Sequence, residues 1–343
     1  MRCELVEEFS KIDPQVWASV GAGAQEELRF MSEDEPGSWQ YLVAEEGGVP
    51  VGIVALRRVE GVFPTWLRGL DGIFARVVRI VAWHIWLPGC PLMPSGNRDL
   101  VSAVVDWSRR SKKWIIYCNW VFENETAVWR QYGAYVFPQG SLNLMHVSPS
   151  YEEYLSGLKS RHRYTLRKMQ RQAAQRDVVL SIHEDYRAIA EDLATLANET
   201  QTKIGFKPCY TARFLSNRKV IWPETVVITG RVGGTLSGFL MGHVVRECSQ
   251  LRLTHVGLHY QLSRPNNIYF LMFDQAIRHA IQLGVKEVVG GATQDNLKRR
   301  LGFRQLPGCQ VLLGTNPPVR WILMLVRPLV ARLLQQFRIG GDE

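Results

Sequence analysis

Two copies of one turn signature constrain the fold more than any other feature. Gly47-Gly48-Val49-Pro50-Val51-Gly52-Ile53 recurs 186 residues later as Gly233-Gly234-Thr235-Leu236-Ser237-Gly238-Phe239. In each copy an alternating apolar run enters the glycine pair and a second apolar run leaves it. Paired glycines supply the positive φ that a two-residue hairpin turn needs, so each copy predicts a β-hairpin: 39–46 with 49–58, and 224–231 with 235–246. A shared helix-end signal follows each hairpin, Gln131-Tyr132-Gly133 in the first half and Arg300-Leu301-Gly302 in the second. Two half-chains on one plan predict two copies of an α/β domain, each a mixed central sheet flanked by helices, with a cleft between or beside them.

The remaining elements fit that plan. Helices are predicted at Arg98–Arg110, Glu125–Gln131, 185–201, Tyr269–Leu283 (stopped by Gly284) and Asp295–Leu301, and strands at Trp114–Cys118, 141–147, 250–257 and Val285–Val289. Ser150-x-x-Glu153 is a capping-box pattern that predicts one continuous helix over 150–176. Residues 33–38 are a polar loop. The implied division is 1–140, then 141–318 with the helix 150–176, then an amphipathic tail at 319–343.

Charge narrows the partners. The net charge is +9 with a pI near 9.3, which suits nucleic acid, a membrane surface, a phosphate-bearing cofactor or an acidic carrier protein. The six cysteines show neither C-x-x-C pairing nor metal-ligand spacing. That is the pattern of reduced thiols in a cytoplasmic protein, and no metal is expected. The acidic start Met1–Glu8 lacks an apolar signal core. Residues 73–87 and 319–337 are apolar but interrupted by arginines, so neither predicts a membrane span. The second carries only basic charges, which suits a helix lying at a membrane interface.

The strongest local signal is basic. Lys159, Arg161, Arg163, Arg167, Lys168, Arg171 and Arg176 form a run with no acid between Tyr154 and Asp177. Arg163, Arg167 and Arg171 fall on one helical face, where like charges at i,i+4 repel unless an anion offsets them. His162 and Tyr164 lie inside the run. On the strand Arg252–Tyr260, alternation places His255, Gly257 and His259 together. A histidine near neutral pKa could accept a proton from an attacking amine. Asp274, Asp295 and Lys298 are placed to line the same cleft.

The order of these elements resembles the GNAT acyltransferase superfamily, and more closely its Fem-type branch with two GNAT-like folds in one chain. The segments that carry the resemblance are Tyr151-Glu152-Glu153-Tyr154-Leu155, Arg161–Arg167, Asn267-Ile268-Tyr269-Phe270-Leu271 and Lys298-Arg299-Arg300-Leu301-Gly302-Phe303. It implies transfer of an acyl group to the primary amine of an amino acid, peptide or small molecule. The donor would be acyl-CoA, an acyl carrier protein thioester or, in the peptidoglycan branch, aminoacyl-tRNA. A non-catalytic module that binds nucleic acid or anionic membrane is a further alternative. The implied catalytic residues are His255, His259 and His162. Donor contacts fall to Arg161, Arg163, Arg167, Tyr164 and Lys298, and the substrate cleft to Tyr260, Tyr269 and Asp274. The chain departs from the superfamily in one respect. The glycine-rich pyrophosphate loop is replaced by Leu262-Ser263-Arg264-Pro265-Asn266-Asn267-Ile268, and Pro94–Arg98 is equally incomplete. Apolar content over 62–93 hints at a long acyl chain.

Overall fold

The computed structural model describes residues 2–14, 16, 39–57, 77–81, 98–123, 126–205, 208–246, 249–292 and 294–336. The polar loop 33–38, most of 62–93 and the loop Pro94–Asn97 lie outside them. The chain forms two compact units. The first takes in the described residues up to Gly140 together with those from Pro307 onward, and the second is Ser141–Leu306.

In the first unit, β1 (Arg2–Val6), β2 (Trp39–Glu46), β3 (Val49–Arg57) and β4 (Val77–Val81) pair antiparallel in sequence order. The connection through α1 (Arg98–Arg110) returns the chain to β5 (Ile115–Phe122), which pairs parallel with β4. A crossover of this kind is what a parallel neighbour requires. After α2 (Thr126–Gln131) the chain enters β6 (Tyr135–His146). Residues Gly308–Gly314 of β12 (Arg304–Gly314) close the sheet antiparallel against β5. The last helix, α10 (Pro317–Gln336), packs Leu323 with Phe137 and Leu312.

The second unit repeats the scheme. It begins with α3 (Tyr151–Gly157) and α4 (Ser160–Gln175). The strands β7 (Val178–His183), β8 (Thr225–Val232), β9 (Thr235–Val245) and β10 (Gln250–Leu258) are again antiparallel. Helices α5 (Ala190–Lys203) and α6 (Ala212–Ile221) lie between β7 and β8. A short α7 (Tyr260–Ser263) and the long α8 (Ile268–Leu283) lead to β11 (Glu287–Val289), parallel to β10. Then follows α9 (Asp295–Arg300), and Leu144–His146 of β6 close this sheet antiparallel against β11. Both predicted hairpin turns form: Gly47 and Gly48 have φ of 61° and 83°, and Gly233 and Gly234 have 54° and 79°. Gly284 caps α8 in the left-handed conformation.

One expectation fails locally. The predicted helix over 150–176 is two helices, because Leu158 and Lys159 are extended (ψ 145° and 139°). The Ser150 cap is present, its Oγ accepting from Glu153 N at 3.1 Å. Leu158 turns into the core, its Cδ2 3.2 Å from where a Gly302 Cβ would sit. Arg163 reaches back so that its Nη1 donates to the carbonyls of Leu155 and Ser156 at 3.1 and 3.3 Å, satisfying the end of α3.

The core of the second unit is built on α8, which buries nine residues from Ile268 to Ala280. At roughly 1.5–3 kcal/mol for each large apolar side chain buried, this helix anchors the unit. On the opposite face α5 lies on β10 at Gly257. A Cβ there would stand 2.3 Å from Phe239 Cε1 and 2.7 Å from Ala197 N. Beside it, Trp222 stacks on the buried His243 with ring centroids 4.6 Å apart. Burial, then the charge of Arg252, holds the His243 imidazole neutral, with a pKa well below 6.5.

Two outcomes follow from this packing. Gly257→Ala forces α5 off the strand and should destabilise by about 1–3 kcal/mol, read as a lower urea midpoint; an unchanged midpoint would show that the helix yields freely. His243 binds a proton near pH 6.5 when unfolded and not when folded, so its contribution to stability falls as the pH drops below that value. His243→Phe, which keeps the stack, should lose less melting temperature between pH 7 and pH 5 than the wild type does.

Candidate functional site

The parallel pairing of β10 with β11 runs only from Gln250–Arg252 to Glu287–Val289. Beyond it β10 shifts register against β9 between Leu253 and His255, leaving Thr254 as an extra residue. Such a bulge bends a strand and re-aims its groups. On the other side β11 runs out into Gly290-Gly291, with Gly291 at φ 75°. The two backbones part here, and the nearest neighbour of a Gly291 Cβ would be the Leu253 carbonyl oxygen at 3.8 Å.

Asn143 of β6 holds the β11 side of this opening. Its backbone exchanges hydrogen bonds with Gly290 N (2.7 Å) and Gly291 O (3.0 Å). Its Nδ2 donates to Gly291 O at 2.9 Å and to Asp295 Oδ1 at 2.8 Å. Asn143 Oδ1 and Thr254 Oγ1 are buried without a hydrogen-bond partner among the described residues. Orphaned buried acceptors of this kind are uncommon and mark a place where a ligand group could bind.

Lys298 enters the same corner from α9. The sequence suggested a cation for donor phosphates, but the residue is 1% exposed, so it cannot serve as a surface contact. Its Nζ lies 5.3 Å from the centre of the Phe273 ring. Phe273 and Phe303 in turn crowd Gly290, 3.4 and 2.9 Å from its would-be Cβ. Burial pulls the Lys298 pKa down to about 7 against the opposing pull of Asp295. At neutral pH the amine therefore exists in both protonation states.

The second feature is a groove of about 710 Å³ along α4, lined by Ser160, Arg163, Tyr164, Arg167, Gln170, Arg171 and Ala174. The three arginines predicted to share a face do line one surface, and Tyr164 stands 63% exposed among them. Arg161 is exposed on the same helix. The N-terminal end of α4 neighbours α9. His162 is held neutral first by partial burial and then by Lys159, Arg161 and Arg300.

Asp274 does not line a cleft. It is 4% exposed and anchors α4 to α8. Its Oδ2 accepts from Gln170 Nε2 at 2.8 Å and from Arg278 Nε at 3.2 Å, and its Oδ1 from the Tyr151 hydroxyl at 2.7 Å. The Arg278 guanidinium lies 3.5 Å from the Tyr151 ring centre. Burial and then Asp274 push the Tyr151 pKa far up, so the phenol remains a donor. Because Gln170 also lines the groove, this carboxylate fixes the groove's position on the unit.

The histidines fall elsewhere. His255 is boxed edge-on by Tyr210 and Phe214, each with centroids 5.5 Å away, and its Nδ1 meets the Tyr210 hydroxyl at 3.3 Å. Burial, then Arg218, lowers its pKa to about 3. A pKa lowered in this way weighs against His255 as the general base. The strand ends at Leu258, so His259 leaves the alternation. Its backbone N–H donates to Ser237 O at 3.0 Å, while its Nδ1 is buried without a partner among the described residues. Tyr269 is half-buried and packs on Phe273 (4.9 Å) at the edge of the core. Tyr260 opens α7 with Arg264 5.9 Å from its ring centre, and burial raises its pKa. The sequence assigns no site role to Asn143, Thr254, Tyr151 or Gln170. Among the described residues, no cluster of His, Cys, Asp or Glu could hold a metal ion.

No protein-family model matches the chain, and no curated protein matches it. Solved structures do. The C-terminal domain of a protein described as a lysylphosphatidylglycerol synthetase from Agrobacterium fabrum superposes with a TM-score of 0.58 at 12% identity, over 90% of this chain and 92% of that one. L-PGS from Bacillus licheniformis gives 0.58 at 9%, over 92% and 97%. A tandem GNAT protein from the clavulanic acid biosynthesis pathway gives 0.50 at 14%, over 92% and 99%. At these identities the likeness is one of fold, and it agrees with the strand orders above: the chain has a tandem GNAT-like fold, each unit a mixed sheet flanked by helices.

Proposed function

We propose that this chain is an acyltransferase of the aminoacyl-tRNA-dependent kind, its second unit holding the tRNA backbone on α4 and carrying out the transfer at the β10–β11 opening. The cationic groove carries the reading. Three arginines at one-turn spacing, with an exposed tyrosine between them, line a surface without an acid. At 1.5 Å per residue the 16 residues of α4 extend about 24 Å, longer than one pyrophosphate needs. The loop Leu262–Ile268, where a glycine-rich pyrophosphate cradle would sit, has none of the required glycines. The resemblance to the Fem-type branch implies the same donor. One of the fold relatives is named for making lysylphosphatidylglycerol, an aminoacylated lipid.

The chemistry asks little of the protein, because an aminoacyl ester is already activated. Backbone groups freed at the Thr254 bulge can polarise the ester carbonyl and stabilise the oxyanion that develops. The acceptor amine must lose a proton as it attacks. Lys298, buried beside Gly290 with a pKa of about 7, is the group suited to receive it, since a base works best with its pKa near the operating pH. A thioester donor would use the same opening without the length of the groove.

Two experiments test these roles. In anisotropy titrations with labelled total tRNA, wild-type log Kd should vary with log salt concentration with a slope of about 2–3, as expected for three phosphate contacts. Arg163→Gln with Arg167→Gln should reduce that slope by about 1.5–2, and Arg167→Gln alone, which leaves the Arg163 cap on α3 in place, should reduce it by about half as much with an unchanged melting temperature. Salt-independent binding, or transfer of an acyl group from CoA that survives ribonuclease, would replace tRNA by a thioester. For the chemical step, turnover should rise with pH through about 7 in the wild type. Lys298→Met and Lys298→Arg should both lose that limb and roughly 10²- to 10⁴-fold in rate. An active Lys298→Arg would assign the residue to charge stabilisation instead.

A further inference from the structure

The helix α10 is apolar on two opposite sides, and among the described residues only one of them is covered. Inward, Leu323 is buried against Phe137 and Leu312. The helix is seated closely on β12: Arg320 Nε donates to Gly314 O at 2.9 Å, and a Cβ on Gly314 would lie 2.9 Å from Arg320 N. Asn316 Oδ1 accepts from Val319 N at 3.1 Å and caps its start. These contacts fix which face points out. Trp321, Met324, Leu325 and Pro328 follow one another at i, i+3, i+4 and i+7 on that face. Trp321 is 65%, Leu325 74% and Met324 45% exposed, with Ile322 beside them at 57%.

A contiguous apolar stripe left in water on a rigid helix indicates an interaction surface. Its charges indicate the partner. The 20 residues of α10 contain three arginines and no acid, in a chain of net charge +9. Arg320 is turned inward onto Gly314 O, while Arg327 is exposed beside the Tyr135 ring, so the charge that the described side chains of the helix offer to solvent is cationic. An anionic lipid surface takes both components, with tryptophan and leucine at the headgroup–acyl boundary and guanidinium groups on the phosphates. Among the described residues no helix is long and apolar enough to cross a membrane. We infer that α10 docks the protein flat on an anionic lipid surface through Trp321, Leu325 and their neighbours. This inference does not depend on the transferase assignment.

The test is co-flotation of the full chain with vesicles of phosphatidylcholine containing 30% phosphatidylglycerol, and with vesicles of phosphatidylcholine alone. Wild type should float with the anionic vesicles and not with the neutral ones. Trp321→Ser with Leu325→Ser should weaken that binding by about tenfold or more, with an unchanged melt because both side chains point outward. A second cationic surface, α4, provides the control: Arg163→Gln with Arg167→Gln should bind vesicles as the wild type does. Failure of the wild type to float, equal binding to neutral vesicles, or full binding by the Trp321/Leu325 variant overturns the proposal. Loss of binding in the α4 variant alone would also overturn it, by moving the lipid site to α4. Self-association of the wild type that Trp321→Ser with Leu325→Ser abolishes, without vesicle binding, would make the occupant a second copy.

Discussion

The three-residue length of the β10–β11 pairing is the constraint on which the second unit's chemistry depends. A parallel pair continued to the end of β10 would spend the backbone groups of Leu253–Leu258 on a neighbouring strand. The bulge at Thr254 and the run-out into Gly290-Gly291 release them instead. Releasing backbone groups inside a protein is costly unless something else receives them. On the β11 side Asn143 does so. On the β10 side α5 takes one of them, with Thr200 Oγ1 accepting from Leu258 N at 2.8 Å. The orphaned Asn143 Oδ1 and Thr254 Oγ1 stand on the two sides of the opening. Polar satisfaction is commonly relaxed where a ligand completes it.

The cationic groove depends on a different kind of interaction. A helix with this many like charges has no intrinsic reason to sit close against a protein surface, and its own repulsion works against its order. Asp274 resolves this from beneath. One buried carboxylate gathers Tyr151, Gln170 and Arg278, and so ties α3 and α4 to α8. Burying the carboxylate is costly by itself, but with Arg278 and two further donors around it the charge is matched. The outer face of α4 is then free to carry arginines that no acid among the described residues neutralises.

Local rules were legible in the sequence; long-range partners were not. Gly47-Gly48 and Gly233-Gly234 could be placed because the φ a tight turn needs is a property of the residue itself. The Ser150 cap and the Gly284 stop could be read for the same reason. The break at Leu158-Lys159 was invisible: its cause is the fit of Leu158 against Gly302, far away in the chain. Asp274 looked like a cleft residue because its partners lie 104 and 123 positions distant. Lys298 sits among Asp295, Arg299 and Arg300 on a helix of six residues, too short for a periodic pattern to show which side chain points inward. His255 was assigned as a base on residue type and strand alternation. Its pKa is set by Tyr210 and Phe214, contributed by the chain just before α6 and by α6 itself, which alternation along β10 cannot reveal.

The net positive charge of the chain therefore resolves into two surfaces of different chemistry. On α4 the arginines lie one turn apart with a tyrosine among them, and the groove they line is open. Its attraction for a partner would be chiefly electrostatic and would weaken as salt screens it. On α10 the arginines are interspersed with tryptophan, isoleucine, methionine and leucine, so attraction to a surface would be shared between charge and apolar burial, and salt would remove only part of it. A single basic patch for one ligand would not need both patterns. Their separation, one on the helix that Asp274 holds in the second unit and one on the helix seated on Gly314 in the first, is the physical ground for assigning them different partners.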